Sequence, residues 1–147
     1  MRLRRILTRR VDTAIRAGLE VDRAVLIAEI EELVLRFSAA GVVDDAAWGA
    51  SRARRLVSRG VAPNVVRQRL RGEGVDATAA LGELQGDIDI RSACAYVRRR
   101  RLGPFRREAE TASDLAKMGR AGFTYAIAKK VLGMTREEIE EAAVAAL

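Results

Sequence analysis

Apolar residues recur along this chain at steps of three and four. From Leu3 the positions Leu3, Ile6, Leu7, Val11, Ala14 and Ile15 draw one stripe down a helix that stops at Gly18. Asp22 then stands where an N-cap is expected, ahead of Leu26, Ile30, Leu33, Val34 and Phe37, and Gly41 closes that second helix. Asp44 and Asp45 place carboxylates at the start of a third, where the macrodipole favours them; Trp48, Gly49, Ala53 and Leu56 form its inner face and Gly60 ends it. Pro63 suits the first turn of a fourth, with Val66 and Leu70 inward and Gly72 and Gly74 as breaks.

A short helix over Asp76 to Gln85 precedes the stripe Ile90, Ala93, Cys94, Val97, which runs into Arg98 to Arg101 and stops at Leu102-Gly103-Pro104. The pattern next predicts a helix from about Arg107 to Arg120, with Ala112, Leu115, Ala116 and Gly119 on its inner side and Gly122 at its end. Phe123 opens another, with Ile127 and Val131 inward, and Thr135 with Glu138 has capping-box spacing for a last. No stretch sustains the two-residue rhythm of a half-buried strand, so the expected fold is all-α. A helix, a glycine break and a short helix opening on an apolar residue occur twice, which suggests stacked units sharing a core: 41–86, 87–147 and a short first unit, 1–40.

The 147 residues suffice for one domain or a short helical array and for no multidomain enzyme. Lys and Arg exceed Asp and Glu by seven, and the pI near 10.6 points to a polyanion or an acidic protein surface as partner. Only Lys117, Lys129 and Lys130 are lysines; the remaining basic residues are arginines, whose planar fork suits phosphate and carboxylate, although coding bias in a GC-rich genome yields the same preference.

The chain has no histidine, which excludes His-dependent triads and His-ligated zinc, and its single cysteine, Cys94, reads as a core residue. The absence of a second cysteine and of a long apolar segment makes a cytoplasmic protein the expectation. Asp44-Asp45 and Asp87-Ile88-Asp89 read as helix caps at least as well as metal ligands, and Gly72-Glu73-Gly74 lacks the strand and third glycine of a dinucleotide fingerprint. Trp48 is in phase with core positions, and Phe105, Phe123 and Tyr125 are too scattered for a base-stacking platform. No catalytic residue, cofactor or metal is expected.

Charge is segregated along the chain. Arg52, Arg54, Arg55, Arg59, Arg67, Arg69 and Arg71 follow one another with no acidic residue between them, and Arg91, Arg98, Arg99, Arg100, Arg101, Arg106 and Arg107 form a second block. Acidic stretches lie around them: seven carboxylates from Glu20 to Asp45 and five from Glu73 to Asp89. Two readings stay open, a docking surface for DNA phosphate or an acidic protein, and charge pairing between helices that leaves no patch. Four successive arginines, Arg98 to Arg101, would surround a helix at ~100° per residue, so that at least two must face solvent or a partner.

The segment Ala40-Gly-Val-Val-Asp-Asp-Ala-Ala-Trp48, then an arginine-rich helix, Arg59-Gly60-Val-Ala-Pro63 and Val66-Arg-Gln-Arg-Leu70-Arg-Gly-Glu-Gly74-Val75, resembles the second repeat of the RecX regulators. Arg98 to Pro104, followed by Asp114-Leu-Ala-Lys117-Met-Gly-Arg120-Ala-Gly122-Phe123, resembles the third. The likeness covers roughly residues 38 to 133; the part before Gly41 is shorter than the family's usual first repeat and does not follow its motif.

The resemblance implies a curved, elongated array of three-helix repeats, acting as a monomer in the groove of the RecA filament on DNA. It would restrain ATP hydrolysis, filament extension and strand exchange, and so recombinational repair and the SOS response. On this reading the contacts come from Arg52, Arg54, Arg55, Arg59, Arg67, Arg71 and Arg98 to Arg101, while Gly41, Asp44, Asp45, Trp48, Gly60, Pro63, Leu70, Gly122 and Phe123 are architectural. A helix-turn-helix transcription regulator is the alternative, although its candidate recognition helices offer few Asn, Gln, Ser or Thr side chains for base edges.

Overall fold

The computed structural model describes residues 2–144 except 43, 85 and 107–109, and residue 2 by its backbone alone. Among the described residues the protein is all-α: α1 (Arg2–Arg16), α2 (Arg23–Ala39), α3 (Asp45–Ser58), α4 (Pro63–Gly72), α5 (Ala77–Gly82), α6 (Ile88–Arg100), a 3-10 turn (Gly103–Phe105), α7 (Thr111–Arg120), α8 (Tyr125–Leu132) and α9 (Arg136–Val144).

Short polar side chains start these helices by accepting the N–H groups that lack an intrahelical partner. Asp22 accepts from Ala24 (2.8 Å), Asp44 from Ala47 (2.8 Å), Asp76 from Thr78 (2.9 Å) and Asp87 from both Asp89 and Ile90 (3.1 Å each). Both aspartate pairs that admitted a metal reading thus begin with an N-cap. The capping box at α9 is formed in both directions: Thr135 N–H donates to Glu138 Oε2 (2.7 Å) and Glu138 N–H to Thr135 Oγ1 (3.2 Å).

One device ends six helices. A residue with positive φ is followed by an apolar residue whose N–H returns five positions to a helix carbonyl: Leu19 to Ala14, Val42 to Phe37, Val61 to Leu56, Val75 to Leu70, Leu102 to Val97 and Phe123 to Met118, all at 3.0 to 3.1 Å. Glycine holds the left-handed position at 18, 41, 60, 74 and 122; at 101 it is an arginine, with φ 53°. Arg98 to Arg101 therefore do not continue one helix. Arg98, Arg99 and Arg100 make the last turn of α6, and Arg101 turns the chain out of it.

Helices α3, α4 and α5 pack around Ala53, Leu56, Val57, Val66 and Leu70, with Trp48 half-buried against them. A second core, with Ala93, Cys94, Val97, Met118, Phe123, Val131 and Ile139, joins α6 to α7, α8 and α9. Helix α6 touches both groups. At the seam Ser92, fully buried, donates its hydroxyl to Val61 O (2.7 Å), and Gly60 lies so close that a Cβ would meet Tyr96 N at 2.5 Å. Gly122 faces Asn64 and Val65 of α4 at about 3 Å in the same sense, and buried Phe123 stacks at a tilt on Tyr96 with ring centroids 5.4 Å apart. Pro63 is the buried first residue of α4. Helix α1 packs on α2, joined by Arg4 to Glu31 (3.0 Å) and Arg23 to Asp12 (2.8 Å).

Three expectations change. Helix α7 begins at Thr111, and the three residues after Arg106 lie outside the described ones. Its inner face carries Asp114 and Met118, while Ala112, Ala116 and Gly119 are exposed. Small residues mark a face weakly, and here a carboxylate goes inside because its hydrogen bonds are supplied there. Helix α5 spans Ala77–Gly82, shorter than expected, and Gln85 lies outside the described residues.

Candidate partner-binding surface

Asp114 sets the local geometry at the end of α6. Its side chain is 1% exposed; Oδ2 accepts the Gly103 N–H (2.9 Å), and Oδ1 faces Lys117 Nζ (3.3 Å) and Arg106 Nη1 (3.6 Å). The carboxylate thereby ties the 3-10 turn that follows α6 to α7. Arg106 also binds Glu110 Oε2 at 2.7 Å. That hydrogen bond raises the Arg106 pKa and, together with the arginine's charge, lowers that of Glu110.

Beyond this anchored end Arg98, Arg99, Arg100 and Arg101 are all exposed. They diverge to two sides. Arg98 and Arg99 line a cleft of about 470 Å³ with Ser58, Arg59 and Ala95, in which Arg99 Nη1 reaches the Arg59 carbonyl at 3.4 Å. Arg100 lies 5.9 Å from the Tyr96 ring centroid, and with Tyr96, Leu102, Arg106 and Lys117 it lines a cleft of about 240 Å³.

The structure thus brings Arg59 of the first arginine block against Arg98 and Arg99 of the second. Arg54 and Arg55 on α3 and Arg67, Arg69 and Arg71 on α4 are exposed and line neither cleft. Arg52 is engaged otherwise: its guanidinium takes both carboxylate oxygens of Glu73, at 2.9 and 3.3 Å, which raises its pKa through the hydrogen bond first and the charge second. None of Arg54, Arg55, Arg59, Arg67, Arg69, Arg71, Arg98, Arg99, Arg100 or Arg101 has an ion pair among the described residues. Ion pairing therefore accounts for Arg52, with Glu73, and for Arg106, with Glu110 and Asp114, and leaves the ten arginines just named facing outward. Arg91 is half-buried on α6.

Cys94 is buried, and burial, with the charge of Asp87 adding to it, pushes its thiol up to about 11. A thiol so held is protonated at neutral pH and is a poor nucleophile. Asp114 was not legible as a buried group, because a helical Asp with Lys three residues on reads as a solvated pair. Also missed was α1, which carries Arg2, Arg4, Arg5, Arg9, Arg10 and Arg16 against the single Asp12; here the signal was plain in the arginine density.

No family model matches the chain, and no solved structure matches it. It is similar to the Regulatory protein RecX of Myxococcus xanthus, 35% identical over 141 residues that cover 88% of this chain and 74% of that protein. It is also similar to the Regulatory protein RecX of Agrobacterium fabrum, 32% identical over 103 residues that cover 67% of this chain and 56% of that protein. Both relatives are named as regulatory proteins and not as enzymes. With the extent of the first match, and with the glycine-aspartate, Gly60-to-Pro63 and Ala-Gly-Phe segments in their expected order along an all-α chain, this protein belongs to the RecX family of regulatory proteins.

Proposed function

We propose that this protein binds the RecA recombinase filament on DNA and restrains its ATPase, extension and strand exchange, and that it does so from the cytoplasm as a monomer. The observation that carries the proposal is the exposed arginine group at the end of α6, Arg98 to Arg101, with Arg59 brought beside it from α3 and no carboxylate paired to any of them among the described residues. Exposed, unpaired guanidinium groups on a well-anchored helix end are suited to charge-assisted contacts with carboxylate or phosphate. Membership of a family of regulatory proteins supports the same reading.

The repeat division fits this role. In 41–86 and in 87–147 an aspartate-capped first helix, α3 or α6, ends on a left-handed residue and an apolar one. The second, α4 or α7, ends the same way, and its apolar residue, Val75 or Phe123, directly precedes the cap of the third, α5 or α8. Two copies of one unit would then offer their arginines to successive positions along a repetitive filament.

Arg98, Arg99, Arg100 and Arg101 changed together to alanine test the assignment. The variant should melt within a few degrees of the parent, because these side chains are exposed, and should need about tenfold more protein or greater for half-inhibition of the RecA ATPase, a loss of ~1.4 kcal/mol. A folded variant that inhibits as the parent does would remove the α6 end from the interface.

A further inference from the structure

The arginines of α1 take no part in the surface described above, and they have a cleft of their own. Between α1 and the turn that ends α4 lies a hollow of about 280 Å³ lined by Arg5, Ile6, Arg9, Arg10, Gly72 and Glu73. A larger hollow, about 670 Å³, shares Arg5 and Arg9 with it, extends to Gly74 and also holds Asp12 and Glu31, which are bound by Arg23 and Arg4. The ion pairs that hold α1 to α2 engage Arg4 and Arg23. Arg5, Arg9 and Arg10 are exposed and have no ion pair among the described residues. The one carboxylate lining the smaller hollow, Glu73, is bound by Arg52 through both of its oxygens. Three guanidinium groups therefore line this cleft without a counter-charge of their own.

We infer that this cleft is a nucleic-acid backbone site, with Arg5, Arg9 and Arg10 as its phosphate ligands, distinct from the α6 surface and sharing no residue with it. Arg5 and Arg9 are one turn apart, about 6 Å along the helix, so each can meet a different phosphate of one strand while Arg10 flanks them. The facing wall is low: a Cβ at Gly72 would meet nothing within 4 Å, and one at Gly74 only Arg5 Cδ at 3.9 Å. A thin, regularly charged chain can approach such a wall. A protein partner would be expected to bury aromatic or large apolar anchors, and the cleft offers Ile6 alone and no aromatic side chain. The same lack of aromatic and amide side chains makes the site a reader of backbone and not of sequence.

The oligonucleotide measurement itself needs no RecA, so its failure is separable from failure of the RecA proposal. Binding of a fluorescein-labelled oligothymidylate is measured by anisotropy from about 50 to 200 mM NaCl for the parent, for R5Q/R9Q/R10Q and for R5K/R9K/R10K. Glutamine keeps helix propensity close to that of arginine, and circular dichroism checks that the variants fold. The glutamine variant should lose about two from the slope of log K against log salt, near 0.7 per phosphate, and at least about tenfold in affinity at the low-salt end. The lysine variant, retaining the charges, should keep the slope. A folded glutamine variant with unchanged slope and affinity overturns the inference. So does one whose oligonucleotide binding is intact while RecA inhibition is lost, since that would give the cleft to an acidic protein surface.

Discussion

Arg101 sits at φ 53° and ψ 51°, in a position that glycine occupies at the five comparable helix ends. An L side chain there costs roughly 1 kcal/mol, partly offset by the backbone entropy that glycine would lose on folding. Arg101→Gly should therefore raise stability by up to about 1 kcal/mol, a melting shift of about 2–4 °C upward for a chain of this size, and at the same time weaken RecA inhibition. A variant that melts lower would show that the arginine serves the fold and not the surface. Asp114 makes the converse case: its carboxylate is inside because Gly103, Lys117 and Arg106 converge on it. No periodicity in the sequence encodes that, since the partners come from a turn and a loop whose approach only the folded chain defines. Arg52 was unreadable for the same reason, its partner Glu73 being 21 positions away.

Helix boundaries were the most legible feature, because they are set by single residues with a local mechanism. Asp22, Asp44 and Thr135 with Glu138 act as caps where expected, and Gly18, Gly41, Gly60 and Gly122 supply positive φ at helix ends. Faces were legible where large apolar residues mark them, as with Val66 and Leu70 in α4, and not where alanine and glycine do, as in α7. Helix α2 shows the limit from the other side: Ile30 and Val34 are buried as expected, but Phe37 is 37% exposed and Leu35 65%, because apolar residues occur around much of its circumference. What the sequence hides about glycines is which of them are also crowded. Gly60→Ala puts a Cβ 2.5 Å from Tyr96 N and should cost about 3 kcal/mol or more. Gly41→Ala, with equally positive φ and nothing within 4 Å, should cost about 1 kcal/mol. Denaturant titration of both variants checks this; equal losses would mean that the α3–α6 seam yields to the extra methyl group.

At the scale of the molecule, the charge segregated along the chain is partly paired by folding and partly left facing outward. Arg4, Arg23, Arg52, Arg106 and Arg136 are drawn into ion pairs, and the outward-facing arginines include the groups at the α6 end and on α1. Asp114, through Gly103, and Ser92, through Val61, tie α6 and the turn after it to their neighbours, which positions the backbone that carries these arginines. On the proposed function these arginines act on a protein filament and not merely on DNA. The most direct measurement is the ATPase rate of the cognate RecA on single-stranded DNA, with this protein titrated in at substoichiometric ratios and free DNA in excess. The rate is expected to fall at ratios too low to coat the DNA; no fall, or a fall only at coating concentrations, would leave a general basic DNA-binding protein.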